Sequence, residues 1–150
     1  MKIHQLSLFL ENQPGQLIEP CRVLARATID VRTLSLADTE QFGILRLIVS
    51  DWQKAAAILE QAGYAVNVTE VVALEVADRP GGLAEIMDVL EAKGDDASGI
   101  NIEYMYAFPF GRGDRAVIIF RFDRPDAAIE RLQSAGINVV DGVDVYSRVS

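Results

Sequence analysis

The sequence predicts an α+β protein made of two βαββαβ units, each an antiparallel four-stranded sheet with both helices on one face. Three observations predict it. The segment Leu10-Glu11-Asn12-Gln13-Pro14-Gly15-Gln16-Leu17 returns as Val76-Ala77-Asp78-Arg79-Pro80-Gly81-Gly82-Leu83. Later parts of the halves also align, Ser50-Asp51-Trp52-Gln53-Lys54-Ala55 with Asp123-Arg124-Pro125-Asp126-Ala127-Ala128, and Ala62-Gly63-Tyr64 with Ala135-Gly136-Ile137. In both halves the apolar spacing alternates between strand and helix periods in the same order. Two copies are too few to stack a solenoid. A duplicated small domain follows, with residues 1–70 as the first copy and 71–150 as the second.

In the first copy, residues 3–11 alternate as a strand with His4, Leu6, Leu8 and Leu10 on one face, until Asn-Gln-Pro-Gly breaks it. A helix follows on which Leu17, Cys21 and Leu24 recur at helical spacing, and Pro20 falls early enough to be tolerated. Residues 31–37 and 42–49 are β-type runs joined by the polar turn Asp38-Thr39-Glu40-Gln41, a hairpin. Residues 51–62 form a second helix with Trp52, Ala55, Ala56 and Leu59 on one stripe and Gly63 as its stop. A strand over 64–71 closes the copy.

The second copy repeats the order. Residues 72–77 are a strand, and Leu83, Ile86, Met87 and Leu90 mark the helix after it. The loop Gly94-Asp95-Asp96-Ala97-Ser98-Gly99 leads to strands over 100–108 and 116–122, joined by Pro109-Phe110-Gly111-Arg112-Gly113-Asp114. A helix over 124–135 ends at Gly136, and 137–146 reads as the last strand. With right-handed crossovers, βαββαβ gives the ferredoxin-like arrangement. A unit this small buries only roughly 60% of its unfolded surface. The hairpin strands are apolar on both faces, as in Ile44-Leu45-Arg46-Leu47-Ile48-Val49 and Ala116-Val117-Ile118-Ile119-Phe120. One helix layer covers one face, so another copy is expected to cover part of the other.

Composition narrows the function. Half of the 150 residues are apolar and 24% are charged, which suits a folded core. Fourteen Lys and Arg against 22 Asp and Glu leave −8 at pH 7, a field that repels nucleic acid and anionic lipid. One Cys and one His build neither a disulfide nor a zinc cluster, so neither a metal nor any other cofactor is expected. The first residues lack the basic start and apolar run of a signal peptide, which points to the cytoplasm. No G-x-S-x-G and no nucleophile–base pair is legible, so no enzymatic activity is expected.

The repeated loop carries the chemistry. Gly15, and Gly81 with Gly82, let a backbone approach a small ligand with no Cβ in the way. They open helices whose free N–H groups favour a carboxylate. An upstream oxygen on Asn12 or Asp78 takes an ammonium. A carboxylate and an ammonium one loop apart describe a free α-amino acid, although Pro-Gly alone also reads as a plain strand-to-helix turn.

Two βαββαβ copies, each with [Asn/Asp]-x-Pro-Gly-x-Leu between first strand and first helix, resemble tandem ACT domains, the amino-acid-sensing modules of biosynthetic enzymes. The stretch Glu11-Asn12-Gln13-Pro14-Gly15 is similar to the loop in the regulatory domain of phosphoglycerate dehydrogenase and in acetolactate synthase small subunits. The resemblance implies a non-catalytic regulatory protein of amino-acid metabolism, with ligand held by Asn12, Pro14, Gly15, Gln16 and Leu17 and by Asp78, Gly81, Gly82 and Leu83. It also implies a second polar residue at the start of a neighbouring domain's hairpin, Asp30 or Asn101. Asn12 opposite Asn101 would be neutral and accept a zwitterion, whereas Asp78 opposite Asp30 would hold two carboxylates and demand a cation. No catalytic domain of the kind fused to such modules is legible here. A separate biosynthetic enzyme or regulator is the implied partner. The alternative is a regulatory subunit or transcriptional co-regulator, similar to the glycine-cleavage repressor, that acts by protein contact without a small ligand.

Other signals are weaker. Gly111-Arg112-Gly113-Asp114-Arg115-Ala116 matches G-x-G-x-x-A but lies between two hairpin strands, not at the opening of a helix. His4 reads as solvated on an outer strand and Cys21 as a small buried hydrophobe. Asp95-Asp96 has no identifiable third metal ligand. Tyr104, Tyr106 and Phe108 alternate along one face, as packing or as a stacking platform for RNA, and the negative charge opposes the latter. The two-faced hairpins predict self-association into a homo-oligomer, a dimer at least. Light scattering at micromolar concentration is expected to give a mass above one chain, and a monomer with and without amino acids would contradict it.

Overall fold

The structure is a computed structural model that describes residues 2–39, 41–91, 99–109, 111 and 113–146. The chain runs β1 (Ile3–Glu11), α1 (Ile18–Arg26), β2 (Val31–Thr39), β3 (Phe42–Val49), α2 (Trp52–Gln61), β4 (Val66–Ala77), α3 (Gly82–Leu90), β5 (Ile102–Ala107), β6 (Arg115–Phe122), α4 (Pro125–Ser134) and α5 (Gly142–Tyr146). It divides into two compact units. An N-terminal unit holds His4–Thr69 together with the segment from Val143 onward, and a C-terminal unit holds Glu70–Gly142 together with Lys2 and Ile3.

In the N-terminal unit the strand order is β2-β3-β1-β4. Alternation along the strands decides the core: Leu6, Leu8 and Leu10 of β1 and Leu45, Leu47 and Val49 of β3 point to one face and meet Leu24 of α1 and Ala55 and Leu59 of α2. The Asp51 side chain caps α2 by accepting from the Lys54 N–H at 3.1 Å. Two sequence readings are corrected here. β1 lies between β3 and β4 and is not an outer strand, and the His4 ring is half-buried against Trp52, with centroids 4.3 Å apart. Cys21 is exposed. The buried residues of α1 are Pro20 and Leu24, so Leu24 of the expected stripe is buried and Pro20 takes the place expected for Cys21.

In the C-terminal unit the order is β4-β6-β5. Val72, Leu74 and Val76 of β4 and Phe120 and Phe122 of β6 pack under Ile86 and Leu90 of α3 and Ala128 and Leu132 of α4. The expected final strand over 137–146 is a correction. Val139 makes only an isolated bridge to Leu74, flanked by Glu75 N–H to Asn138 O at 3.1 Å and Val140 N–H to Ala73 O at 2.8 Å. Asp141-Gly142 then turns the chain into α5, a break that an alternating reading overruns.

A further correction concerns β4. The expected strands over 64–71 and 72–77 are one strand, because no Gly, Pro or turn residue separates Val71 from Val72. Counted along its ladders, the sheet has six strands in the order β2-β3-β1-β4-β6-β5, in place of two sheets of four.

Each chain end is bound within the unit that holds it, although the rest of that unit lies far off in sequence. Lys2 pairs with Asp126 and Glu70, each at 3.1 Å, and these carboxylates, Asp126 foremost, raise its ammonium above the usual lysine value. At the other end, the His4 N–H donates to the Tyr146 hydroxyl and Arg32 Nε donates to the Tyr146 carbonyl at 2.7 Å. Burial raises the Tyr146 phenol above its usual value, and the hydrogen bond from His4 opposes this. Tyr146→Phe removes that acceptor and is expected to cost about 0.5–1.5 kcal/mol. Since the folded-state value is the higher one, Tyr146 stabilises below the unfolded value, about pH 10, and loses this as pH rises through the folded value. Urea melts from pH 8 to 11 are expected to show a steeper alkaline loss in the wild type than in Tyr146→Phe.

Candidate functional site

The N-terminal loop closes off β1 by short-range backbone bonds. The Asn12 N–H donates to Gln41 O at 3.0 Å and the Gln13 N–H to Glu11 O at 2.9 Å, and Gly15 stands at φ +86°. This left-handed turn aims the chain into α1, which opens at Ile18 with Leu17 as its N-cap. Beside the loop lies a cavity of about 340 Å³. Its rim is Asn12, Gln13, Gln16 and Leu17 with Leu10 and Glu11 of β1, and the hairpin supplies Leu36, Asp38 and Gly43.

Strand register explains the cavity. Leu10 pairs with Gly43, and Gly43 pairs with Asp38, so these three share one row on one face. Gly43 contributes no side chain, and the Leu36 side chain packs down onto it, so Gly43 is buried and the cavity opens beside Leu36. Among the described residues neither Glu11 nor Asp38 takes part in an ion pair. The cavity thus offers carboxylate and amide oxygens, the backbone N–H groups of a helix start, and an apolar wall.

Of the residues singled out in the sequence, Asn12, Gln16 and Leu17 line this cavity, while Pro14 and Gly15 belong to the turn that shapes it. Leu10, Glu11, Leu36, Asp38 and Gly43 were not singled out. A signal existed for Gly43, since a glycine inside a β-run marks a close approach or a space. Asp38 reads from sequence as a turn residue, yet β2 extends through it.

The hairpin-entry residues lie elsewhere in each unit. The Asp30 N–H donates to Ser50 Oγ at 3.1 Å and its carboxylate accepts from Arg32 at 3.0 Å. Both β1 and β2 run antiparallel to β3, so Asp30 is at the opposite end of its unit's sheet from Asn12. The Asn101 N–H donates to Asp123 Oδ1 at 2.9 Å, and the same parallel sense of β4 and β5 sets it at the far end from Asp78. Within one unit, loop and hairpin entry are not brought together.

The C-terminal loop is built differently. Gly81 has φ +87°, but α3 opens at once with Gly82, and a Cβ there would lie 1.9 Å from Ala77 O. The Asp78 N–H donates to Asp114 O at 3.1 Å, and Arg79 pairs with Glu85. A cavity of about 400 Å³ lies on the α3 side, lined by Glu75, Ala77, Gly82, Glu85, Ile86 and Arg115 with residues 135–138. Asp78, Gly81 and Leu83 do not line it. The row that corresponds to Leu10 and Gly43 reads Val76 and Ala116, so a methyl group stands where the N-terminal unit has none.

Among the described residues no group of three His, Cys, Asp or Glu could hold a metal ion, and no helix is long and apolar enough to cross a membrane. Asp95 and Asp96 lie outside the described residues, as do Phe110 and Arg112 of the second hairpin turn.

The family model of the ACT domain pair matches residues 1–147. The chain belongs to the ACT domain pair family. Among solved structures it is similar to a protein from Bacteroides thetaiotaomicron, with 38% identity over 97% of this chain and 96% of that one and a TM-score of 0.86. The fold is shared with the regulatory subunit of aspartate kinase from Thermus thermophilus, at 19% identity over 88% of this chain and 91% of that one, TM-score 0.60. The corresponding subunit from Thermus flavus matches at 18% identity over 91% and 94%, TM-score 0.59. No curated protein matches the sequence.

The loop glycines are expected to respond differently to alanine. At Gly15 nothing lies within 4 Å of an added Cβ, so the cost is the left-handed backbone alone, about 1–2 kcal/mol. At Gly82 the Cβ collides with backbone that cannot swing away, and the loss is expected to exceed that of Gly15→Ala. Urea denaturation of both variants tests the order, and a larger loss at Gly15 would contradict it.

Proposed function

We propose that this chain is a non-catalytic sensor of a free amino acid, a regulatory protein of amino-acid metabolism built from two ACT modules, residues 1–70 and 71–150. In this reading it works in the cytoplasm as a homo-oligomer and acts on a separate biosynthetic enzyme or regulator, with no cofactor. The observation that carries the reading is the cavity of about 340 Å³ at the first repeated loop. The ligand carboxylate lies against the N–H groups from Gly15 to Leu17, at the positive end of α1. Its ammonium is taken by Asn12 and Asp38. Family membership supports the same role, as does the fold shared with proteins described as regulatory subunits of aspartate kinase. The single His, stacked on Trp52, and the single, exposed Cys suit a binding protein better than a catalyst.

In the assembled protein, Asn101 or Asp30 of a neighbouring module adds the second polar contact, and the loop at Asp78, Gly81, Gly82 and Leu83 forms the weaker site. A ligand of about ten heavy atoms at modest efficiency binds in the micromolar to millimolar range. Thermal shift against the twenty amino acids tests the proposal, because a ligand at 100 times its Kd stabilises the folded state by about 2.7 kcal/mol. Asp38→Asn is expected to weaken binding by about 10- to 150-fold, the loss of a hydrogen bond to a charged group. A chain stabilised by none of the twenty would overturn the sensor reading and leave regulation by protein contact alone.

A further inference from the structure

We infer that Gly43 sets which amino acid the N-terminal cavity accepts, and that the accepted class is neutral with an aliphatic side chain; this rests on the sensor reading above. Three leucines line the cavity, and Leu36 rests on Gly43. Leu10 is buried, but Leu17 is 38% exposed and Leu36 is 53% exposed, so two large aliphatic side chains face an open space. A ligand side chain lying between Leu17 and Leu36 removes both from water, a gain of about 25 cal/mol for each Å² covered.

The open space depends on the missing side chain. A Cβ on Gly43 would stand 3.3 Å from Leu36 Cδ1, so the bare glycine is what lets Leu36 lie down against the sheet and keep clear of the cavity. A larger residue pushes Leu36 outward, into the place of the ligand's side chain. Asp38 flanks Gly43 in the same row and repels an acidic side chain, while it attracts the ammonium that every α-amino acid carries. A carboxylate cannot share that end, so it turns to the loop amides, and the side chain is left to the leucine wall. The second unit supplies a control, since Ala116 occupies the corresponding position and does not line the cavity there.

Gly43 lies in a strand without positive φ, and its nearest prospective neighbour is the far end of the Leu36 side chain. Gly43→Val is therefore compatible with the fold, and circular dichroism checks this. Calorimetry on the wild type, Gly43→Val and Leu36→Ala is run with alanine, valine, leucine, methionine, glutamate and lysine. The wild type is expected to prefer valine, leucine or methionine over glutamate and lysine. Gly43→Val is expected to lose about tenfold or more in affinity for leucine and methionine, while alanine changes little. Should Gly43→Val fail to fold, Leu36→Ala carries the test, because it removes part of the wall and narrows the margin of leucine over alanine. If the wild type binds amino acids but prefers charged ones, or if both variants leave the leucine-to-alanine ratio unchanged, the inference is overturned while the sensor reading stands. If no amino acid binds the wild type, the sensor reading fails and takes the inference with it.

Discussion

Register between β1, β3 and β2 ties the core and the candidate site to one geometry. Leu6, Leu8 and Leu10 reach the core only if they pair with Leu47, Leu45 and Gly43 in that order. A slip of one residue would bring Phe42 into the row of Leu10 and turn Leu45 and Leu47 away from α1 and α2. Burial of those leucines therefore opposes any slip, and the same pairing puts Gly43 between Leu10 and Asp38. The cavity beside the loop is thus lined by residues whose positions the core pairing already sets.

The two repeats have diverged around this shared plan. Where the N-terminal unit has Gly43, the C-terminal unit has Ala116, and where the first loop carries Gln16, the second carries Gly82 against Ala77 O. The cavity lies on the hairpin side of the first loop and on the α3 side of the second. The termini diverge as well. Lys2 is held by Asp126 and Glu70, and Tyr146 is held by His4 and Arg32, so the chain ends contribute to units other than the ones their sequence neighbours build.

Much of the fold was legible because it is written in local periods and breakers. The repeat anchored by Pro14-Gly15 and Pro80-Gly81 located both strand-to-helix turns, and Gly15 and Gly81 indeed take nearly the same positive φ, +86° and +87°. Strands and helices from β1 to α4 follow the expected order, with the ends of α1 and β2 displaced by a few residues. The errors came from places where a local signal was absent or ambiguous. Between Val71 and Val72 nothing breaks the chain, and only the repeat itself suggests a boundary there. At Asp141-Gly142 the breaker was present but followed an apolar pair that reads as strand.

By itself the sequence determined the duplication, the order of elements, the leucine faces of β1 and β3 and the two loops, since each depends on residues close in the chain. Tertiary structure alone decided that β4 serves both units, that Tyr146 returns to His4, and that Leu10, Gly43 and Asp38 form one row. Side-chain alternation tells which face a residue takes, but not which residue of another strand stands beside it. That is settled by backbone hydrogen bonding between segments far apart in sequence, and the candidate site is made of such neighbours.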